Sequence, residues 1–199
     1  MKKVIIYIHG FNSGPGEKAV ELTKQFPNCE VVAPQLPYNP QEAIEILKGV
    51  LDQHLNADVH IVGTSLGGFY TMYLSTLYSS YQDITYYLIN PSFKPQETLD
   101  KYVDTLVTNY KTGEQFEIDS SLSTILQSYH RQIVDTYSAS NIHSSNYFLS
   151  TNDEVLSFDQ FEQYLRRFKV PLRIYYSNQG HRFQETSQVI DKLQANMIY

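Results

Sequence analysis

Of its 199 residues the chain spends one on cysteine and none on tryptophan. With Cys29 alone no intrachain disulfide can form, and such sparing use of cysteine fits a reducing compartment. Basic residues are also outnumbered: 15 Lys and Arg stand against 21 Asp and Glu, a formal net charge of −6. No basic block gathers the charge that a phosphate backbone attracts, which argues against nucleic-acid binding. Long apolar runs are missing as well. Lys2, Lys3 and Val4–Ile8 start like a signal peptide, but the run is too short and "HGFNSGPG" follows it without a small-residue cleavage pattern. Nowhere do the roughly 18 apolar residues of a membrane span occur together. Internal repeats and low-complexity stretches are absent. What remains is the expectation of a soluble, cytoplasmic protein, residues 1–199 forming one domain. That length buries roughly 70% of the surface an unfolded chain exposes.

What is present is an alternation of short apolar runs with amphipathic stretches. Strands are expected at Val4–Ile8, Glu30–Ala33, Val59–Val62, Thr85–Ile89, Tyr147–Leu149 and Leu172–Tyr176. Most are continuously apolar, as strands buried on both faces are. Between them, Ala19, Leu22 and Phe26 share a helical face, as do Ile44, Leu47, Leu51 and Leu55. The second of these helices has a start signal in Asn39, Pro40 and Glu42. Phe158, Phe161, Leu165 and Phe168 make another stripe, opened by Ser157, and Val189, Ile190, Leu193 and Met197 make the last. Stripes of this kind are core contacts. The order predicts an α/β fold, a parallel sheet of about six strands with helices on both faces. One segment, about 91–143, breaks the rhythm. Helices are expected there at Gln96–Val107 and Ser121–Val134, separated by a turn or short hairpin around Gly113. An excursion of that length between core strands suggests a lid above the carboxyl ends of the strands, where open α/β sheets bind ligands.

Gly63-Thr64-Ser65-Leu66-Gly67 is a G-x-S-x-G between an expected strand and the helical stretch Leu66–Leu77. A structural turn would also use small residues. The strand–turn–helix context, however, is that of a nucleophile elbow, which lifts a serine on a strained backbone. A serine hydroxyl needs a base, and the base an orienting group. After such an elbow the chain order is Ser, then Asp or Glu, then His. His181 in "SNQGHRF" is the histidine that follows the last strand, with Gly180 giving its loop freedom to reach back. His54 and His60 flank the wrong end of the third strand, and His130 and His143 lie in the excursion. The acid is sought after Tyr147–Leu149, where Asp153 and Glu154 are adjacent; Asp153 is preferred because it leaves the strand first, with Glu154 the alternative. Oxyanion donors are expected in the backbone N–H of Leu66 and, from the loop after the first strand, of Phe11, with Asn12 close behind. A glycine-rich turn before a helix is the plainer reading of that loop.

With these pieces in place the chain resembles the α/β-hydrolase superfamily over nearly its whole length. More narrowly it is similar to the small bacterial YqiA-like esterases. The resemblance rests on "IHGFNSGPGEKA", "APQLPY", "GTSLGGFY", "INPSFKP", "STNDEVLSF" and "NQGHRF", in that order. It departs at Thr64, where a second serine is more usual. The resemblance implies a minimal α/β-hydrolase fold with a compact helical lid, a triad of Ser65, Asp153 and His181, and no metal or organic cofactor. The expected reaction is cleavage of a small carboxylic ester through an acyl-serine. Asn12, Phe93, Leu106 and Phe116 are candidate substrate contacts; with Tyr102, Val103 and Tyr110 the lid residues serve either to receive an acyl chain or to pack the lid down. Two other readings stand beside this one. An acyl-CoA thioesterase would use the same triad with basic residues at the pocket mouth, for which Lys94, Lys101, Lys111 and Arg182 are available but not clustered in sequence. A non-catalytic binding protein would keep the scaffold alone. Oligomeric state leaves no mark in the sequence.

Overall fold

In the computed structural model, which describes residues 1–109 and 111–197, the first strand already displays the logic of the core. β1 (Lys3–Ile8) is buried along almost its full length. Val4, Ile6 and Ile8 face one apolar layer, Ile5 and Tyr7 the other. The chain continues through α1 (Gly16–Gln25), β2 (Glu30–Val32), α2 (Pro40–Asp52), β3 (Asp58–Thr64), α3 (Leu66–Leu77) and β4 (Ile84–Ile89). An insertion follows: α4 (Pro95–Leu99), a 3₁₀ turn, β5 (Thr105–Thr108), β6 (Gln115–Ile118), α5 (Ser120–Thr136) and α6 (Ala139–His143). β7 (Ser145–Ser150), α7 (Asp159–Arg166), β8 (Ile174–Ser177) and α8 (Ser187–Met197) complete the chain.

The six-stranded sheet has the order β2-β1-β3-β4-β7-β8. Every pairing in it is parallel, with Ile6 opposite Ile61, Val62 opposite Tyr87, Leu88 opposite Tyr147 and Leu149 opposite Tyr176. The expected α/β architecture is therefore present. Leu22 of α1 and Val189, Ile190, Leu193 and Met197 of α8 cover one face. Residues of α2, α3, α5 and α7, among them Leu47, Phe69, Leu126 and Phe161, cover the other. Asn39 caps α2 as its sequence indicates, its Oδ1 accepting from Gln41 N (2.9 Å) and Glu42 N (3.3 Å), with Pro40 in the first turn. That helix stops at Asp52, short of Leu55, and α7 stops short of Phe168, which still packs against the core. The chain turns from building the sheet toward β2 to building it toward β8 between β1 and β3, so the carboxyl ends of these two strands flank a topological switch point.

The insertion corrects the sequence reading. Gln96–Val107 is not one helix. α4 ends at Leu99, a 3₁₀ turn covers Asp100–Tyr102, and Asp104 takes φ 59°. Thr105–Thr108 then pairs antiparallel with Gln115–Ile118. The β-branched pair Val107 and Thr108 suits a strand, and the cross-strand partner overrides helical propensity. Gly113 lies in the hairpin turn at φ 76°, and α5 runs slightly past both expected ends. Among the described residues no helix is long and apolar enough to cross a membrane.

Candidate active site

The site grows from the two strand ends at the switch point. β3 delivers Ser65 at φ 56° and ψ −116°, a conformation strained for any residue with a Cβ, and α3 starts at the next residue. The flanking glycines have separate causes. A Cβ on Gly63 would strike the backbone of Gly67 and the Thr71 hydroxyl, whereas a Cβ on Gly67 would strike the carbonyls of Ile8 and His9. Gly67 is thus needed for the approach of α3 to β1 rather than for room beside Gly63. Ser65 is tied in by its own backbone, its N–H donating to Ile89 O (2.9 Å) and its carbonyl accepting from Ser92 N (3.0 Å).

From the ends of β7 and β8 come the other two groups. His181 Nε2 lies 3.0 Å from Ser65 Oγ, and its Nδ1 lies 2.7 Å from Asp153 Oδ2. The Asp153 side chain is 1% exposed, and its second oxygen accepts from Val155 N and Leu156 N, each at 2.8 Å. The structure separates the two adjacent acids. Asp153 meets the imidazole, while Glu154 Oε2 accepts from the backbone N–H of His181 (2.9 Å). That bond holds the exposed Glu154 carboxyl below its usual range. Gly180 is not in the left-handed region; its lack of a side chain admits the Glu154 carboxylate, whose Oε2 would lie 2.9 Å from a Cβ there.

The loop after β1 is shaped by His9. It is 5% exposed, its Nε2 accepts from Leu36 N (3.0 Å), and the proton therefore sits on Nδ1, which donates to Gly10 O (2.9 Å). Burial pushes the His9 imidazole down, which keeps it neutral. Asn12 takes φ 51° and its Oδ1 is buried. Phe11 lines two neighbouring cavities. The larger, about 550 Å³, is bounded by Gly10, Ser65, His181, Lys18, Lys111 and Arg182. The smaller, about 30 Å³, is bounded by Asn12, Leu66, Tyr70 and Phe116. Leu66 opens α3, and the N–H groups of a first helical turn have no partner inside the helix.

The four candidate substrate contacts part company. Asn12 and Phe116 border the small cavity. Phe116 also stacks on Tyr38, with centroids 4.5 Å apart, and meets Phe11 edge-on at 6.2 Å. Leu106 is turned to solvent: hairpin alternation puts Val107 inward and leaves Leu106 65% exposed. Phe93 is taken up by His130, Phe161 and Tyr164, in an aromatic cluster that joins the insertion to α7. Tyr102 packs on Phe11, and Tyr110 lies outside the described residues. Among the described residues no group of three or more His, Cys, Asp or Glu side chains is placed to hold a metal ion. Sequence reasoning missed Asn90, which is fully buried at φ 43° and reaches the His181 loop from the end of β4. Its signal, an Asn-Pro after an apolar strand, reads only as a turn.

A family model covering residues 4–197, that of the Uncharacterised protein family (UPF0227), matches the sequence. The chain belongs to this family. The assignment agrees with the resemblance to the YqiA-like proteins of the α/β-hydrolase superfamily. Est1E from Butyrivibrio proteoclasticus, solved with ferulic acid bound, superposes with a TM-score of 0.73 at 13% identity over 98% of this chain and 89% of its own. A pyrethroid hydrolase from Sphingobium faniae gives 0.64 at 13% identity, covering 98% and 97%. A Pyrococcus furiosus esterase gives 0.60 at 12% identity, covering 98% and 80%. Likeness at such identities is likeness of fold, and the fold is that of the α/β hydrolases.

Proposed function

We propose that this protein is a serine hydrolase that cleaves carboxylic esters through an acyl-serine intermediate. The observation that carries the reading is the unbroken line from Ser65 Oγ through the His181 ring to Asp153 Oδ2, in two contacts of 3.0 and 2.7 Å, beside a cavity at the switch point. Fold neighbours named as an esterase and a hydrolase support it. In this mechanism Ser65 Oγ attacks the acyl carbon and its proton passes to His181 Nε2. Asp153 holds the ring by Nδ1–H and offsets the imidazolium charge without taking the proton. The N–H groups of Leu66 and Phe11 receive the oxyanion, Asn12 N–H being the alternative second donor; one such donor is worth about 3–4 kcal/mol. Collapse breaks the ester bond, and His181 Nε2–H protonates the departing alkoxide. Water, deprotonated by the same nitrogen, then attacks the acyl carbon; the acyl–Oγ bond breaks, Nε2–H returns its proton to Ser65 Oγ, and the acid leaves. Residues 1–199 act as one domain, and of the insertion at about 91–143 the β5–β6 hairpin serves as the lid.

A second reading shares the triad but acts on a thioester with an anionic leaving group. It is favoured by one observation. Lys18, Lys111 and Arg182 border the same cavity as Ser65, where they outnumber Glu17 and Glu21, and Lys111 and Arg182 form no ion pair among the described residues. Lys94 and Lys101 are spent elsewhere, on Glu97 and the Tyr102 ring. The test is a fluorophosphonate probe with mapping of the labelled peptide, beside kcat/KM for esters and for thioesters with neutral and anionic leaving groups. Labelling at Ser65 with ester turnover is the expected result. A marked preference for the anionic thioester selects the second reading, and absence of both labelling and turnover means a binding protein.

A further inference from the structure

The imidazole of His181 is carried by a surface loop, and surface loops move. An imidazole poised between a hydroxyl and a carboxylate tolerates little movement. Two side chains that the mechanism above does not use meet the backbone of this one residue. Glu154 Oε2 accepts from His181 N (2.9 Å). Asn90 Nδ2 donates to His181 O (3.0 Å). The bonds engage the two peptide units that flank the His181 Cα, and together they fix the direction in which its side chain leaves the backbone.

Asn90 is itself immobilised. Its N–H donates to Phe148 O (2.8 Å), its Oδ1 accepts from Ser150 N (2.8 Å), and its Nδ2 also reaches Ser150 Oγ (2.9 Å). The ends of β4 and β7 and the loop after β8 are thereby knotted at one fully buried amide. Its φ of 43° suits asparagine, which tolerates the left-handed region better than most residues. Glu154 approaches from outside, across Gly180, where a Cβ would lie 2.9 Å from its Oε2. One grip is thus buried and rigid, and the other is exposed and charged.

We propose that Asn90 and Glu154 are positioning residues that clamp the backbone of His181 and hold its ring in line with Ser65 Oγ. The proposal rests on the serine-hydrolase reading. A misplacement of about 1 Å at a reacting group costs on the order of 10² in rate, which bounds the loss expected from either grip. Glu154→Ala, at an exposed position that should not affect folding, is expected to lower kcat about tenfold with KM unchanged. Glu154→Gln keeps an acceptor for the His181 N–H and should stay within about threefold of wild type. Asn90→Ala should lose roughly 10². Phosphonylation of Ser65 should slow in step with kcat, and the downfield proton resonance of His181 Nδ1–H should broaden in Glu154→Ala but not in Glu154→Gln. A reactive wild type whose Glu154→Ala variant keeps its kcat, labelling rate and resonance overturns the clamp and leaves the hydrolase reading intact. Equal losses in the Ala and Gln variants also overturn it, since charge rather than the backbone bond would then be responsible. A wild-type protein that neither turns over esters nor labels overturns the hydrolase reading, and the clamp with it.

Discussion

The hairpin β5–β6 and the helix α5 enter through the same gap between β4 and β7, yet they are fastened very differently. α5 sinks Leu126 and Ile133 completely into the core. Its Tyr129 stacks on Tyr73 of α3 at 4.3 Å, and Gln132 accepts from the Tyr73 hydroxyl at 3.0 Å. The hairpin turns Leu106 to solvent, buries Val107, Phe116 and Ile118, and meets the loops beside the elbow through Phe116 among Phe11 and Tyr38 and through Asn109 Nδ2 on Ser13 O (3.2 Å). Both halves of the insertion reach the core, α5 through Leu126 and Ile133 and the hairpin through Val107, Phe116 and Ile118, but the hairpin also rests on the proposed oxyanion loop. The difference teaches that interrupting the strand–helix rhythm is no sign of being dispensable. It also divides the labour expected of the molecule: chemistry on the sheet ends, stability in α5, selection by the hairpin.

That division can be broken at each level. The largest effect belongs to the elbow. Ser65→Ala should lower kcat by about 10⁴–10⁶ while the protein melts as a folded domain. Near-full turnover in that variant would remove chemistry from the sheet ends altogether. Next comes the acid. Asp153→Asn should cost roughly 10⁴ by upsetting the tautomer of His181. If Glu154→Gln proved the worse of the two, the acid would have to be moved to Glu154.

In α5 the expected loss is of stability. Leu126→Ala, at a side chain with no solvent exposure, should destabilise by about 2–5 kcal/mol in denaturant unfolding. Selectivity should barely change; a shifted chain-length profile would make α5 part of the cover. Phe116→Ala in the hairpin should do the opposite and alter the ratio of kcat/KM for long and short acyl esters by about tenfold, with little effect on labelling of Ser65. Leu106→Ala, facing solvent, should leave that ratio alone. A uniform fall for all chain lengths in Phe116→Ala would mean the hairpin merely braces the oxyanion loop.

The smallest effect is one of pH. Burial lowers the affinity of His9, His60 and His130 for protons below the ordinary value of 6.5. Below that value the unfolded chain binds more protons than the folded one, so stability falls as pH drops through it and levels off once the buried imidazoles protonate. Melting temperature should decline between about pH 7 and about pH 5, and a flat profile would show that these rings gain protons without penalty.

The contrast between the halves of the insertion also marks what can be read without coordinates. Strands buried on both faces announce themselves as continuous apolar runs, and the elbow announces itself because Gly63, Ser65 and Gly67 lie within five residues of chain. α5 was legible, expected as a helix at Ser121–Val134 and found at Ser120–Thr136. The hairpin was not, because Thr105–Thr108 becomes a strand only by pairing with Gln115–Ile118. The direction of Leu106 depended on that register in turn. Asp153 and Glu154 carry equal chemical credentials; order of exit from the strand favoured Asp153, and the meeting of two loops shows which carboxyl touches the imidazole. Asn90 was the least legible, since its partners Ser150 and His181 lie 60 and 91 residues away.

The backbone of Ser65 has one further consequence. A residue with a Cβ held at φ 56° and ψ −116° burdens the fold by about 1–3 kcal/mol, against a total stability of about 5–15 kcal/mol for an ordinary domain. Glycine would relieve most of that burden. The proposed nucleophile is therefore among the positions where stability and chemistry are in direct opposition. A lineage released from the reaction would gain by exchanging this serine for glycine, and its descendants would be sturdier proteins with nothing left to catalyse.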